Sequence, residues 1–451
     1  MSGRGDAPAP LATDHLIERV ARALETAPAG PHVVFAPATS LDPLTLLSPG
    51  ADAFFWIDRD ERRMVGRGEV IGIHAVEEDP LTQARELSRW AALATSAIDG
   101  ATAPVRFFGR AAFDRAEASD AEGRAITASF ALPEIAWLDD GDADARLQLA
   151  VSAADANFAR GQLLDELRLV AGASNVRPLP AVHGDLGTDA ERARWRELVQ
   201  SALAVIESGA ASKIVCARTV RLRAEGDIDA ASLASAMSAA EGTYRYLVRS
   251  GDVLFAGASP ERLIEKRGDS VRTEAVAGTA AIGHRSTPLE QRDKDRREHL
   301  AVVLAIEEAL SRYTLALEHA EEPVVRQVGR VLHLVTPFEG RIDPSTHVLD
   351  LAATLHPTPA VAGTPRDVAL DFIARHEPAQ RGWYAGPIGW FDLNGDGELA
   401  VALRCVRIQG TALDLFAGAG IVAGSDPDAE FDETVLKMRS TLASLGFELS
   451  A

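Results

Sequence analysis

Glu298 and Glu433 lie far apart in the chain, each inside a stretch with helical periodicity. Two acids brought together by a fold are a common way to hold a divalent cation, and magnesium binds through one or two carboxylates plus substrate oxygens. The pair therefore points to an enzyme acting on a small, oxygen-rich anion. After Glu298, the residues Val302, Ala305, Ile306, Ala309 and Tyr313 share one helical face. An acid on an apolar face is costly unless it is paired or holds a metal, so an ion pair with an arginine, or a helix end reaching water, is the competing account. Near Glu433, one face carries Glu430, Glu433, Lys437 and Ser440, and the opposite face carries Phe431, Val435, Met438, Leu442 and Leu445. A solvated Glu433–Lys437 pair at favourable spacing explains that pattern without any ligand. Its place just after a glycine-rich run adds the functional option.

That run, Gly418 to Gly424, reads as a loop whose backbone amides can approach a ligand closely. Gly418, Gly420 and Ala423 imitate a dinucleotide fingerprint. The chain shows only one more helix and no later strand for the ribose-binding acid, so a carboxylate-binding loop is the better reading. Arg404 alternates with Ala400 and Ala402 on one strand face, where small neighbours leave room for a ligand carboxylate; an exposed strand arginine is the plain alternative. Lys213 opens a strand continued by the apolar Ile214, Val215 and Cys216. A lysine desolvated near a sheet interior can lose its proton, but most strand-end lysines snorkel to water, and the pattern alone favours that plainer reading. Asp392, Asn394, Asp396 and Gly397 resemble the start of a calcium loop. Leu403 stands where the bidentate glutamate belongs, and a hairpin turn accounts for the segment.

These residues must be positioned by the elements around them. Residues 1–10 read as a disordered tail. In the segment from 11 to 185, short apolar runs such as VVFAP, FFWID and VRFFG predict strands from His32 to about Val151, followed by a helix over Asp155–Val170; a Pro/Gly-rich connector covers Asn175–Thr188. From 186 to 451, a capping box of Thr188 and Glu191 opens a helix through Trp195, Leu198, Ala202 and Ile206 that Gly209 ends. A strand from Lys213 to Leu222 follows, then a pair at Tyr244–Val248 and Val253–Gly257, and a long helix over Leu289–Leu317. GPIGWFDL and ELAVALRCVRI flank an NGDG turn, and a last helix spans Asp428 to Leu445. Strands mostly pair by hairpins, which predicts an α+β fold dominated by antiparallel sheet.

Composition narrows the class. The 451 residues are 47% hydrophobic, ample for a large core, and carry a net charge of −20 with no basic stripe, which argues against nucleic acid. An anionic substrate must then be met by local cations or a metal, against the field of the whole protein. Two cysteines, Cys216 and Cys405, in no CxxC or Cys/His cluster argue against a disulfide framework or structural zinc. The opening MSGRGDAPAP lacks the apolar core of a signal peptide and no run is long enough to span a bilayer, so a soluble, cytoplasmic protein is expected.

Taken in order, the runs SKIVCAR, FAGASPERL, AVAGT, RREHL, VLHLVTPFEG, TLHPTPAVAG, GPIGWFDL, ALRCVRI, LFAGAGIV and EFDETVLK resemble the chorismate-utilising enzymes. The strong motifs run from about Lys213 to Lys437; before Asn175 only fragments such as FFGRAAFD and FALPEIAW match. The resemblance implies two large antiparallel sheets packed together with helices outside, forming one integrated domain. It also implies a magnesium-dependent reaction on chorismate in which water adds at the ring 2-position and the 4-hydroxyl leaves. By the same resemblance, Lys213 is the base that activates water and Glu261 the acid that protonates the departing hydroxyl. Glu298 and Glu433 are the magnesium ligands, with Glu430 acting through metal-bound water. Gly278, Thr279, Arg404, Gly418, Ala419, Gly420 and Lys437 contact substrate carboxylates, His333 lies near the ring, and Ala360 belongs to the substrate pocket.

Within the family, Ala277 argues against the aminodeoxychorismate branch, where a nucleophilic lysine commonly stands. Ala360 in HPTPA argues against anthranilate synthases, which tend to carry threonine there and work with an amidotransferase. The resemblance favours the branch that forms isochorismate, at the head of menaquinone or siderophore biosynthesis, acting as a monomer without an obligatory amidotransferase. The rival is the branch that goes on to salicylate by expelling pyruvate. A non-catalytic chorismate-binding module would lack the base, the acid or the metal ligands, and this chain has all of them.

Overall fold

The computed structural model describes residues 13–25, 31–38, 41–76, 79–88, 93–114, 126–141, 144–152, 156–170, 172, 174–281, 289, 293–328 and 331–450. The N-terminal tail and Asp155 lie outside them. Among the described residues the strands form two sheets of 14 and 10 strands, and the helices pack around them. Pairing is antiparallel except between His32–Pro37 and Ala94–Ala97 and between Val182–His183 and Leu449–Ser450. The α+β reading is borne out.

Strands from the first 151 residues enter both sheets. Ala53–Ile57 pairs with Tyr244–Ser250 in the larger sheet, and Arg106–Ala111 pairs with Pro387–Asp392 in the smaller. The run AFFWI shows why its apolar residues are continuous. Phe54 and Trp56 enter the core shared by both sheets, while Ala53, Phe55 and Ile57 enter a second core under the outer helices. Phe54 stacks on Phe108 of the opposite sheet at 4.2 Å between ring centroids.

The local signals held where they were short-range. Thr188 and Glu191 form the reciprocal capping box that opens the Asp189–Glu207 helix, and Gly209 follows its end at φ 80°. NGDG is a hairpin turn: the Asp392 carboxylate accepts from the amides of Asn394 and Asp396 at 2.8 and 3.0 Å. No helix among the described residues is long and apolar enough to cross a membrane.

Three expectations are corrected. The helix predicted over Leu289–Leu317 spans Asp293–Leu310, and Thr314–His319 is an edge strand paired with Val331–Ile342. TLALEH has helical composition, and tertiary pairing overrides it. ELAVALRCVRI is not one strand. Gly397–Val401 belongs to the smaller sheet and Cys405–Gln409 to the larger, and between them Arg404 takes φ 50°. Its alternation with Ala400 and Ala402 therefore has no structural meaning. Finally, Gly418–Gly420 is not a loop but part of the Ala412–Val422 strand, paired along its length with Lys213–Ala224.

Candidate active site

The chain crosses from the larger to the smaller sheet at Pro260–Glu261, between the strands Val253–Ser259 and Arg262–Arg267, and crosses back at Ala402–Arg404. The two crossings are tied together. The Val401 amide donates to the Glu261 carbonyl at 3.1 Å, the Ala258 amide to the Arg404 carbonyl at 3.1 Å, and the Ser259 hydroxyl to the Val401 carbonyl at 2.6 Å. A cavity of about 290 Å³ opens beside this seam, lined by Lys213, Glu261, Gly278, Glu298, His333, Ala360, Arg404, Gly418, Gly420, Glu430, Glu433 and Lys437, among others.

Of the residues singled out from sequence, these twelve share that cavity. Ala419 does not. Strand alternation turns it away, into a core with Trp195, Ile421 and Phe431, and leaves the cavity to its two glycine neighbours. The Thr279 side chain lies outside the described residues; its backbone pairs with His333.

Lys213 is 2% exposed at the start of its strand, and its Nζ lies 2.8 Å from Glu298 Oε1. Glu298 is carried by the Asp293–Leu310 helix, which His299 anchors to the smaller sheet through a 2.7 Å contact with the Thr336 hydroxyl. On the last helix, Lys437 Nζ lies 2.8 Å from Glu433 Oε1 and donates to the Gly418 carbonyl at 2.7 Å. The spacing-based Glu433–Lys437 pair thus exists, and it faces the cavity.

Glu261 is 5% exposed, and its pKa is pushed up to about 8. Burial is the main cause and the neighbouring Glu274 adds to it, while Lys213 and Lys437 oppose. The carboxyl is therefore mostly protonated at neutral pH. Burial, then the cations Arg404, Lys437 and Arg326, hold His333 well below the usual histidine range, so its ring is neutral. Burial brings Arg404 down to about 10, with Glu433 opposing, and it stays charged at neutral pH.

Three glycines are required by contact or conformation. Gly278 occupies a bulge at φ 77° in the Ser270–Ala281 strand, a backbone state that favours glycine. A Cβ on Gly418 would lie 3.0 Å from the Tyr384 hydroxyl, and one on Gly420 would lie 2.6 Å from Glu298 Oε1 and 2.7 Å from Lys213 Cε. Gly420→Ala is expected to displace this flexible ion pair rather than the fold. The variant should lose activity on the order of 10²-fold, the effect of a small misplacement of reacting groups. Its thermal midpoint should stay close to the parent's; steady-state kinetics beside a melting curve check both.

Sequence reading missed Tyr384, Phe416, Asp295 and Asp426, all of which line the cavity. Asp295 had a usable signal, since it stands one helical turn before Glu298. Tyr384 had none. It belongs to no strand or helix, and it reaches the site by stacking on Phe416 at 5.3 Å.

The donors are of the chemical type that magnesium takes, although their present spacing does not bring them together. Glu298, Glu430 and Glu433 offer hard carboxylate oxygens on one cavity, and magnesium needs only one or two of them beside water and substrate oxygens. Lys213 and Lys437 hold Glu298 and Glu433 here, and no three His, Cys, Asp or Glu among the described residues are grouped closely enough to share an ion.

Residues 21–446 match the family model described as chorismate binding enzyme. The chain belongs to that family. It is 30% identical over 448 residues to isochorismate synthase MenF of Bacillus subtilis (strain 168), covering 91% of this chain and 92% of that protein. It is 39% identical over 280 residues to the salicylate biosynthesis isochorismate synthase of Pseudomonas aeruginosa. That second match spans 60% of this chain and 58% of the relative, less than two thirds of its length. The structure of MenF, the menaquinone-specific isochorismate synthase of Escherichia coli, superposes with a TM-score of 0.79 at 28% identity, covering 96% of this chain and all of that one. Membership agrees with the fold expected from the motifs, and it extends the match into the N-terminal half, where the motifs were weak.

Proposed function

We propose that this chain is an isochorismate synthase, converting chorismate to isochorismate by adding water at the ring 2-position as the 4-hydroxyl departs. The observation that carries the reading is a buried lysine and a buried, largely protonated glutamic acid, Lys213 and Glu261, lining one cavity. Water is a weak nucleophile and hydroxide a poor leaving group, so the reaction needs a base and an acid, each worth ~10²–10⁴-fold. Glu261 already holds the proton it would donate. Lys213 would act as the base toward water from the head of its strand, where its Nζ lies 2.8 Å from Glu298 Oε1.

Arg404 and Lys437 supply cations to meet the substrate carboxylates in a strongly acidic protein. The glycine amides of the Gly418–Gly420 segment and of Gly278 leave room for the ligand to approach the backbone. Glu298 and Glu433 would hold magnesium, with Glu430 behind them; when bound, the ion neutralises a substrate carboxylate that these acids would otherwise repel.

The test is product identification. Purified protein is incubated with chorismate and magnesium, with and without ammonium, and products are separated with mass detection. Isochorismate alone is expected, lost on adding a chelator and restored by excess magnesium. Salicylate with equal pyruvate would move the chain to the rival branch. Ammonium-dependent anthranilate, or binding without turnover, would overturn the reading.

A further inference from the structure

Several walls of the cavity come from segments distant in sequence. Val215 belongs to the Lys213–Ala224 strand, Val361 follows the Val348–Leu355 helix, and Tyr384 precedes the Pro387–Asp392 strand. On one side, the Lys213 strand is paired along its length with Ala412–Val422. On the other, the two-residue strand Gly363–Thr364 covers only Lys213 and Ile214. Backbone pairing continues to the Val215 amide, which donates to the Ala362 carbonyl at 2.8 Å.

Beyond that point two side chains take over. Arg381, 3% exposed, donates from Nη2 to the Val215 carbonyl at 2.9 Å and from Nη1 to the Val361 carbonyl at 2.6 Å. Glu377 accepts from the Ala217 amide at 2.9 Å and grips Arg381 at 2.5 and 2.9 Å. The guanidinium lies 4.3 Å from the Phe113 ring centroid and 6.0 Å from that of Tyr384. The Arg381 and Gly382 amides are held in turn by the Asp114 carboxylate, at 2.9 Å each.

We propose that Glu377 and Arg381 are a positioning pair for the reaction, completing the open edge of the lysine-bearing strand and fixing it against the Val361 and Tyr384 walls. This rests on the function proposed above. Stability alone does not explain the pair. Desolvating two such charges offsets most of their attraction, and apolar side chains of similar size commonly hold a fold as well. Apolar side chains cannot set two carbonyls and one amide at hydrogen-bond distance, and these three groups register the base against the rest of the cavity.

The experiment compares the parent with Glu377→Met/Arg381→Met and with Arg381→Lys, which keeps the charge without the two-pronged fork. For the double variant, the expected result is kcat lowered on the order of 10²-fold with KM moved much less, beside a thermal midpoint lowered only as far as three unpaired backbone groups require. Arg381→Lys should recover part of that loss. Parental kcat and KM in the double variant would overturn the proposal, as would a loss no larger than its unfolded fraction. Should the double variant not fold, parental kcat in Arg381→Lys overturns it equally. Should the parent itself not turn over chorismate, the functional reading fails rather than the pair. Amide exchange at Val215 and Ala217 then decides the clamp: faster exchange in the variants upholds it and unchanged exchange refutes it.

Discussion

Glu261→Gln is expected to slow chorismate turnover by ~10²–10⁴-fold while the protein stays folded, because glutamine fills the same volume and has no proton to give the departing hydroxyl. The parent should also show an alkaline limb that reports this group. An acid donates only when protonated, and Glu261 loses its proton as pH rises through about 8, so kcat/KM should fall above that pH. The limb should vanish from the residual activity of the glutamine variant. A limb unchanged by the substitution would assign it to another group, and a near-parental rate would remove Glu261 from the chemistry. Stability should follow the same sign. The unfolded chain releases this proton near the ordinary carboxyl pKa and the folded one near 8, so folding weakens as pH rises between the two.

Lys213→Ala should be as damaging to turnover, ~10²–10⁴-fold, for a different reason. On the proposed mechanism, removing the lysine leaves water without a base, and Glu298 loses its 2.8 Å partner. Glu298 lines the cavity, where solvent and cations reach it, so the variant should fold. Rapid mixing with chorismate separates the two losses. Substrate should still bind, with the defect in kcat. A defect confined to KM would make Lys213 a binding residue only.

Much of the site was readable because it is carried by short motifs: the lysine at the head of an apolar strand, the glutamate of SPE, and the acids on two helices. Their convergence was not readable from pattern, and only the family resemblance supplied it. The errors share one cause, that tertiary placement leaves no mark on local periodicity. No turn residue interrupts ELAVALRCVRI, yet the chain changes sheets at Arg404. Glycines in LFAGAGIV look like a loop, yet they form part of a strand whose cavity face is bare at Gly418 and Gly420, next to Phe416. Glu377 and Arg381 carry no sequence signal of their place, yet the structure buries both side chains against backbone that no strand covers.

The crossings at Glu261 and Arg404 have a consequence for how this architecture can diversify. The acid and the principal arginine hang from the hinge-line where two rigid plates are pinned, while the lysine rides on one plate and the Glu298 helix is fastened to the other. The reacting groups are therefore indexed to a common origin rather than to one another. Ala360 lines the cavity away from both crossings, so a substitution there would leave that origin in place. A single chassis can thus exchange its clientele by small edits while its proton-handling parts stay in register.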